Sequence, residues 1–197
     1  STLGEADQSV ISYICDRERA VVWGINGGLP SMPHGLSIRR AGAEHEDWLG
    51  SVFSDVPLGS GDVFSRPTAG GGGYGDPLER DPALVREDVA DDYVSLDRAR
   101  KDYGVVLRVV DADLAEYAVD EDATQQERAR IRAHRRAWAT EPPAEVARRY
   151  QAGELDRLDV VRQYAVILDW ATGQVLEHST AQYREMFQTR AVAHWLD

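Results

Sequence analysis

Gly70-Gly71-Gly72-Gly73-Tyr74-Gly75-Asp76-Pro77-Leu78-Glu79-Arg80-Asp81-Pro82 is the stretch from which the rest of this chain is read. Five of the six positions 70–75 lack a Cβ. Such a run reaches positive φ freely and lets another backbone or a ligand come close. Ordering it costs conformational entropy, so a folded chain that keeps it uses the geometry. Asp81 before Pro82 marks the start of a helix. The carboxylate caps, and proline's missing N–H does no harm at the first helical position. The stretch predicts a tight glycine turn feeding ordered structure, not a low-complexity linker.

The run does not have the chemistry of a nucleotide loop. A P-loop carries Lys and then Ser or Thr after its last glycine, where this chain has Asp76-Pro77. A dinucleotide turn needs a helix opening on its third glycine, which Pro77 obstructs, and Asp76 would face the phosphate. Close backbone packing at a turn is the simpler account. Two side chains keep two readings each. Asp76 either accepts backbone hydrogen bonds and locks the loop, or projects toward a partner's active site. Tyr74 either pins the turn to a core, its hydroxyl finding a partner, or lines a pocket for a small cyclic or aromatic substrate. Gly70, Gly71, Gly72, Gly73, Tyr74, Gly75 and Asp76 are the candidate pocket residues, and no residue is assigned as catalytic.

Upstream of the turn the chain reads as strands. Ser9–Cys15 and Ala20–Trp23 are dense in β-branched and aromatic residues, Leu36–Arg39 alternates, and Asp62–Ser65 is a further candidate. Downstream the pattern turns helical, from Pro82 to about Asp91 and again after Ser95, ending near Gly104. Asp122–Ala139 is rich in Gln, Glu, Arg and Ala, a composition that suits a partner's surface or solvent. Another helix runs through Tyr150 to Gly153. Tyr164–Trp170 and Gln174–Leu176 suggest a hairpin. Ser179 and Gln182 have capping-box spacing for a last helix to Trp195, with Tyr183, Met186, Phe187 and Val192 as its apolar stripe. The expectation is an α+β fold: a β-rich part with the glycine turn through residue 106, then a helical and hairpin extension, 107–197, packing on a partner.

Composition limits the function. The chain has 197 residues, 43% of them hydrophobic, enough to bury a core. A net charge of −12 argues against nucleic acid, whose phosphates demand clustered Lys and Arg, and against an anionic membrane surface. The arginines at 128, 130, 132, 135 and 136 are a local exception that a solvated helix face explains. A single cysteine, Cys15, excludes an internal disulfide and fits a reducing, cytoplasmic setting. It sits in a strand expected to be buried, where cysteine behaves as a small hydrophobe. The five histidines are scattered; His45 with Glu46 and Asp47 comes nearest to a metal cluster. Adjacent strand residues face opposite sides, so these acids are expected to be solvated and no metal site is assigned.

Gly70–Pro82, together with Val85-Arg86-Glu87-Asp88-Val89, Tyr93-Val94-Ser95, Ala99 and Asp102-Tyr103-Gly104-Val105-Val106, resembles the C-terminal part of the hydantoinase B/oxoprolinase family. Asp16-Arg17, Trp23-Gly24-Ile25 before Gly27-Gly28, Pro57-Leu58 and Gly61-Asp62-Val63-Phe64 fit the same pattern. The resemblance covers about residues 8–106, and Arg162–Trp170 is similar to an extension found in some members. The superfamily includes N-methylhydantoinase, 5-oxoprolinase and the acetone and acetophenone carboxylases.

The resemblance implies a share in an ATP-dependent heteromeric enzyme. A hydantoinase A-type, ATP-binding subunit phosphorylates a carbonyl or enolate oxygen. The B-type subunit then completes hydrolysis of a lactam or imide, or carboxylation of a ketone. Family members are several hundred residues long, so this chain corresponds to their final third. A separately encoded small subunit is expected ahead of a proteolytic fragment or a truncated chain, since Ser1 is what remains after an initiator Met. Its partners would be the A-type subunit and a large B-type subunit, with ATP and a divalent metal in the complex and neither bound by this chain alone. The competing expectation is a non-catalytic interaction subunit that holds the complex together.

Overall fold

A computed structural model describes residues 9–137 and 141–196. The alternating run Ser9–Ile14 forms β1 and pairs antiparallel with β4, Val52–Leu58, as a two-stranded ribbon. β4 contains Pro57, which an open-edged ribbon tolerates, and Asp55 at φ 55°, where the register shifts. β2 (Leu36–Arg39) lies between β3 (Asp47–Gly50) and β5 (Val63–Ser65) in a three-stranded antiparallel sheet. The strand expected over Ala20–Trp23 does not form. Val22 instead pairs with Ser31, donating to its Oγ at 3.0 Å and accepting from its N–H at 2.7 Å. Cys15 lies just beyond β1 and is only half-buried, because a two-stranded ribbon has no second layer to cover it.

The helices after the turn start and stop where local chemistry dictates. Asp81 accepts from Ala83 N–H at 2.8 Å and opens α1, Pro82–Ala90. Ser95 caps α2 (Leu96–Tyr103), which ends on Gly104 in the left-handed region. Val85, Val89, Ala99 and Val105 form a small core beneath a hairpin, β6 (Leu107–Asp111) and β7 (Glu116–Val119), that packs Leu107, Tyr117 and Val119 on it. No strand is expected there from sequence, because the turn carries no glycine or Asn-Gly pair; Ala115 takes the positive φ instead.

α3 spans Glu121–Ala137 and α4 Pro143–Gln151. Next comes α5, Arg157–Tyr164, opened by a reciprocal capping box between Asp156 and Asp159. The expected hairpin of Tyr164–Trp170 reduces to a single bridge, Leu168 to Val175, because Tyr164 is still helical. α6 (Glu177–Phe187) begins two residues before Ser179, without a side-chain cap. It passes through a π turn, Gln188–Val192, into α7, Ala193–Leu196.

The larger core belongs to these later elements. Val146, Val160, Val161 and the whole run Ala165-Val166-Ile167-Leu168 are completely buried, with Tyr183, Phe187 and Val192 closing over them. Val21 joins from the N-terminal side. Ile167 keeps its backbone satisfied by exchanging hydrogen bonds with the Thr180 hydroxyl, both at 3.1 Å. The fold is α+β.

Candidate functional site

The glycine loop is held by backbone against backbone. Ile25 N–H donates to Gly73 O at 3.0 Å, Gly73 N–H to Leu29 O at 2.8 Å, and Gly75 N–H to Ile25 O at 3.0 Å. A Cβ on Gly72 would stand 2.0 Å from Trp23 O, and one on Gly28 would stand 2.1 Å from Gly73 O. No side chain fits at these positions. By contrast, nothing lies within 4 Å of a Cβ placed on Gly70, Gly71 or Gly75.

Asp76 terminates the loop and locks it. Its Oδ1 accepts from Leu78 N–H at 2.9 Å, capping a short 3-10 turn, and from Arg135 Nη1 at 2.7 Å. Arg135 is buried on α3, and desolvation lowers its pKa while Asp76 holds it charged. Its guanidinium also stacks 3.9 Å from the centroid of Trp195, whose Nε1 donates to Gly27 O at 2.8 Å. The α3 arginines are therefore not all a solvated face. Arg128 bonds Arg80 O and Tyr103 O, and Arg132 pairs with Glu79 at 2.8 Å, because the helix lies over the loop's exit. Tyr74 is 77% exposed, so its ring does not pin the turn.

One face of the loop opens on a groove of about 630 Å3 whose opposite wall includes Asp102, Tyr103 and Arg162. Arg162 donates through Nε to Pro30 O at 3.0 Å and through Nη1 to Asp102 Oδ2. The Asp102 side chain is 4% exposed, and burial raises its pKa despite Arg162 and Arg98 beside it. Its second oxygen makes no hydrogen bond and lies 3.5 Å from Arg98 Nη1. Arg98 and Lys101 in turn pair with Asp159, at 3.1 and 3.2 Å, so a line of charges ties α2 to α5. Burial also raises the Tyr103 phenol.

Sequence reading isolates the loop but not Arg135, Asp102 or Arg162. The usable signal is Arg162 at the head of an apolar run, a charge that has to find a partner once that run is buried. The other noted residues do not join the site. Glu46 receives the Ser37 and Ser65 hydroxyls, which lower its pKa, while His45 and Asp47 are exposed. His134 bonds Gln163 O at 3.1 Å. Among the described residues, no group of three or more His, Cys, Asp or Glu side chains comes together as a metal site. No described helix is long and apolar enough to cross a membrane.

Residues 3–77 match the family model of hydantoinase B/oxoprolinase. An uncharacterised protein of Methanocaldococcus jannaschii is 33% identical over 59% of the chain and 20% of its own length. The acetone carboxylase alpha subunit of Xanthobacter autotrophicus is 43% identical over 44% of the chain and 10% of its own length. The caprolactamase beta subunit of Pseudomonas jessenii is 48% identical over 35% of the chain and 12% of its own length. The chain thus spans a tenth to a fifth of the length of these relatives. The matched residues 3–77 hold β1 to β5 and the glycine loop, and over that stretch the chain is similar to the hydantoinase B/oxoprolinase family.

Proposed function

We propose that this chain is a non-autonomous part of an ATP-dependent, heteromeric enzyme of the hydantoinase/oxoprolinase–ketone carboxylase superfamily. It completes a B-type subunit that acts on a carbonyl or enol oxygen activated by phosphorylation. The observation that carries the reading is the glycine loop. It lies within the family-matching residues, admits no side chain at Gly72 or at Gly28 opposite it, is locked by Asp76–Arg135, and forms one wall of the groove. A wall without side chains brings a ligand against backbone, where fixed dipoles act on developing charge. Gly70–Asp76 are the proposed pocket residues.

ATP and a divalent metal belong to the partners in this reading. The loop has Asp76-Pro77 where a P-loop has its lysine, and the described residues do not assemble a metal cluster. The partners proposed are an A-type, ATP-binding subunit and a large B-type subunit, in the cytoplasm, with a cyclic amide or ketone as the substrate class.

A second reading, an interaction subunit without a substrate role, is favoured by the ribbon. Val10, Ile14 and Val52 are 63%, 81% and 67% exposed on its strands, an apolar surface suited to another chain. Native pull-down of the chain with intact-mass measurement, followed by turnover of the recovered complex on ketones and lactams, separates the two. Under the first reading, a large partner and an ATP-binding partner are recovered, and Tyr74→Ala and Gly72→Val lower turnover in assembled complex. Turnover unchanged by both variants in assembled complex would favour the interaction subunit. Recovery as a lone stable monomer would sink both.

A further inference from the structure

The β1–β4 ribbon and the β3–β2–β5 sheet leave between them a cavity of about 880 Å3, a size that suits a small molecule. It shares no lining residue with the groove beside the glycine loop. Ile11, Tyr13 and Phe64 give it apolar and aromatic walls. Tyr13 is held in place, its ring 5.8 Å from that of Phe53 and its hydroxyl hydrogen-bonded to His34 Nε2 at 2.9 Å.

Three charged residues line the same cavity: Glu46, Arg66 and Arg157. Ser37 and Ser65 lie opposite each other on β2 and β5, and each donates its hydroxyl to one Glu46 oxygen. The Ser37 bond above all keeps that carboxyl ionised. Each oxygen retains a further lone pair for a ligand. Arg157, at the start of α5, is fixed by stacking 3.8 Å from the centroid of the Trp48 ring. Stacking sets the plane of the guanidinium and leaves its N–H edge for an acceptor. Arg157 acts on Glu46 through space, but no ion pair joins the two. By contrast, Arg98, Arg149 and Arg162 each reach a carboxylate directly. Two opposite charges, each fixed by its own neighbours and held apart beside aromatic walls, match a ligand that carries both signs.

We propose that this cavity binds a small zwitterion with an apolar body, an aromatic α-amino acid, with its carboxylate on Arg157, its ammonium on Glu46 and its ring against Tyr13 and Phe64. A simple anion would leave Glu46 unanswered, and a simple cation would leave Arg157 so. Arg66, beside Tyr13, adds a second cation to the lining. The inference stands apart from the assembly and substrate roles proposed above.

The test is titration of L-phenylalanine into this chain alone, followed by calorimetry and 15N–1H spectroscopy. Saturable shifts of the Ser37, Phe64 and Ser65 amides and of Arg157 Nε are expected. 3-Phenylpropionate lacks the ammonium and 2-phenylethylamine the carboxylate, so each should bind about tenfold more weakly or worse, the effect of losing a hydrogen bond to a charged group. L-Alanine keeps both charges without the ring and should also bind more weakly. Glu46→Gln and Arg157→Gln should each lower affinity for L-phenylalanine about tenfold while the amide dispersion of the folded chain is retained. No saturable shift in the unmodified chain, shifts confined to the glycine loop, or equal binding of either single-charge analogue would overturn the proposal whether or not the variants fold.

Discussion

The glycine loop and the Ala165–Leu168 run both hold their backbone in place, and they do it by opposite means. Around the loop, main chain meets main chain at distances that leave no room for a Cβ, and polar groups such as Asp76 and Arg135 hold the arrangement. Around Ala165–Leu168 the packing is made by apolar side chains, and the backbone is satisfied by the Thr180 hydroxyl and by the short bridge to Val175. The first arrangement defines a surface to within the width of a methyl group. The second supplies the burial that makes such a surface affordable in a chain of this size. Specific geometry and stability thus reside in different parts of the molecule.

The comparison is broken most strongly in the apolar half. Leu168→Ala should cost about 2–5 kcal/mol, the usual range for a cavity in a well-packed core, read as a lower midpoint in urea unfolding. A loss below about 1 kcal/mol would mean that this core is not the stabilising one. Within the loop the contrast is between neighbours. Gly72→Ala forces a Cβ into Trp23 O and should cost about 1–3 kcal/mol or more, as overpacking does. Gly71→Ala meets nothing within 4 Å and should change stability by no more than about 0.5 kcal/mol. Equal effects from the two would show that the loop does not dock as described.

The smallest effect concerns the polar contacts of the N-terminal half. Asp62 accepts from Gly59 and Ala41 N–H groups and from Arg40, which together hold its carboxyl at about 2 instead of 3.8. A carboxyl lowered in the folded state adds stability above its ordinary pKa, and that stability drains away as pH falls through the folded value. Thermal midpoints of the native chain should therefore drop between pH 4 and pH 2, and Asp62→Asn should flatten that part of the profile. An unchanged slope in the variant would assign the acid sensitivity elsewhere.

The sequence was legible where a single residue decides a conformation. Asp81 with Pro82, Ser95 and Gly104 place α1 and α2, and the glycines announce the loop. It was opaque where distant residues decide. Val22 is extended yet joins no ladder, because Ser31 takes both its hydrogen bonds. β4 hides behind Asp55 and Pro57, and the polar look of α3 conceals that Arg135 reaches back 59 positions to Asp76. The candidate groove shows the same division: its glycine wall could be read directly, whereas the Arg162 wall exists only once α5 has packed beside α2.

The clamp on the Glu18–Pro30 segment has a consequence for how the molecule is made. Trp195 reaches Gly27 across 168 positions, Trp170 reaches Glu18 across 152, and Arg162 reaches Pro30 across 132. Contacts so far apart along the chain form late, after the costs of closing long loops have been met. During synthesis, the segment against which the glycines must dock emerges first and waits for its braces until residue 195 has left the ribosome. The loop at the candidate site thus leaves the ribosome well ahead of the residues that give it its shape.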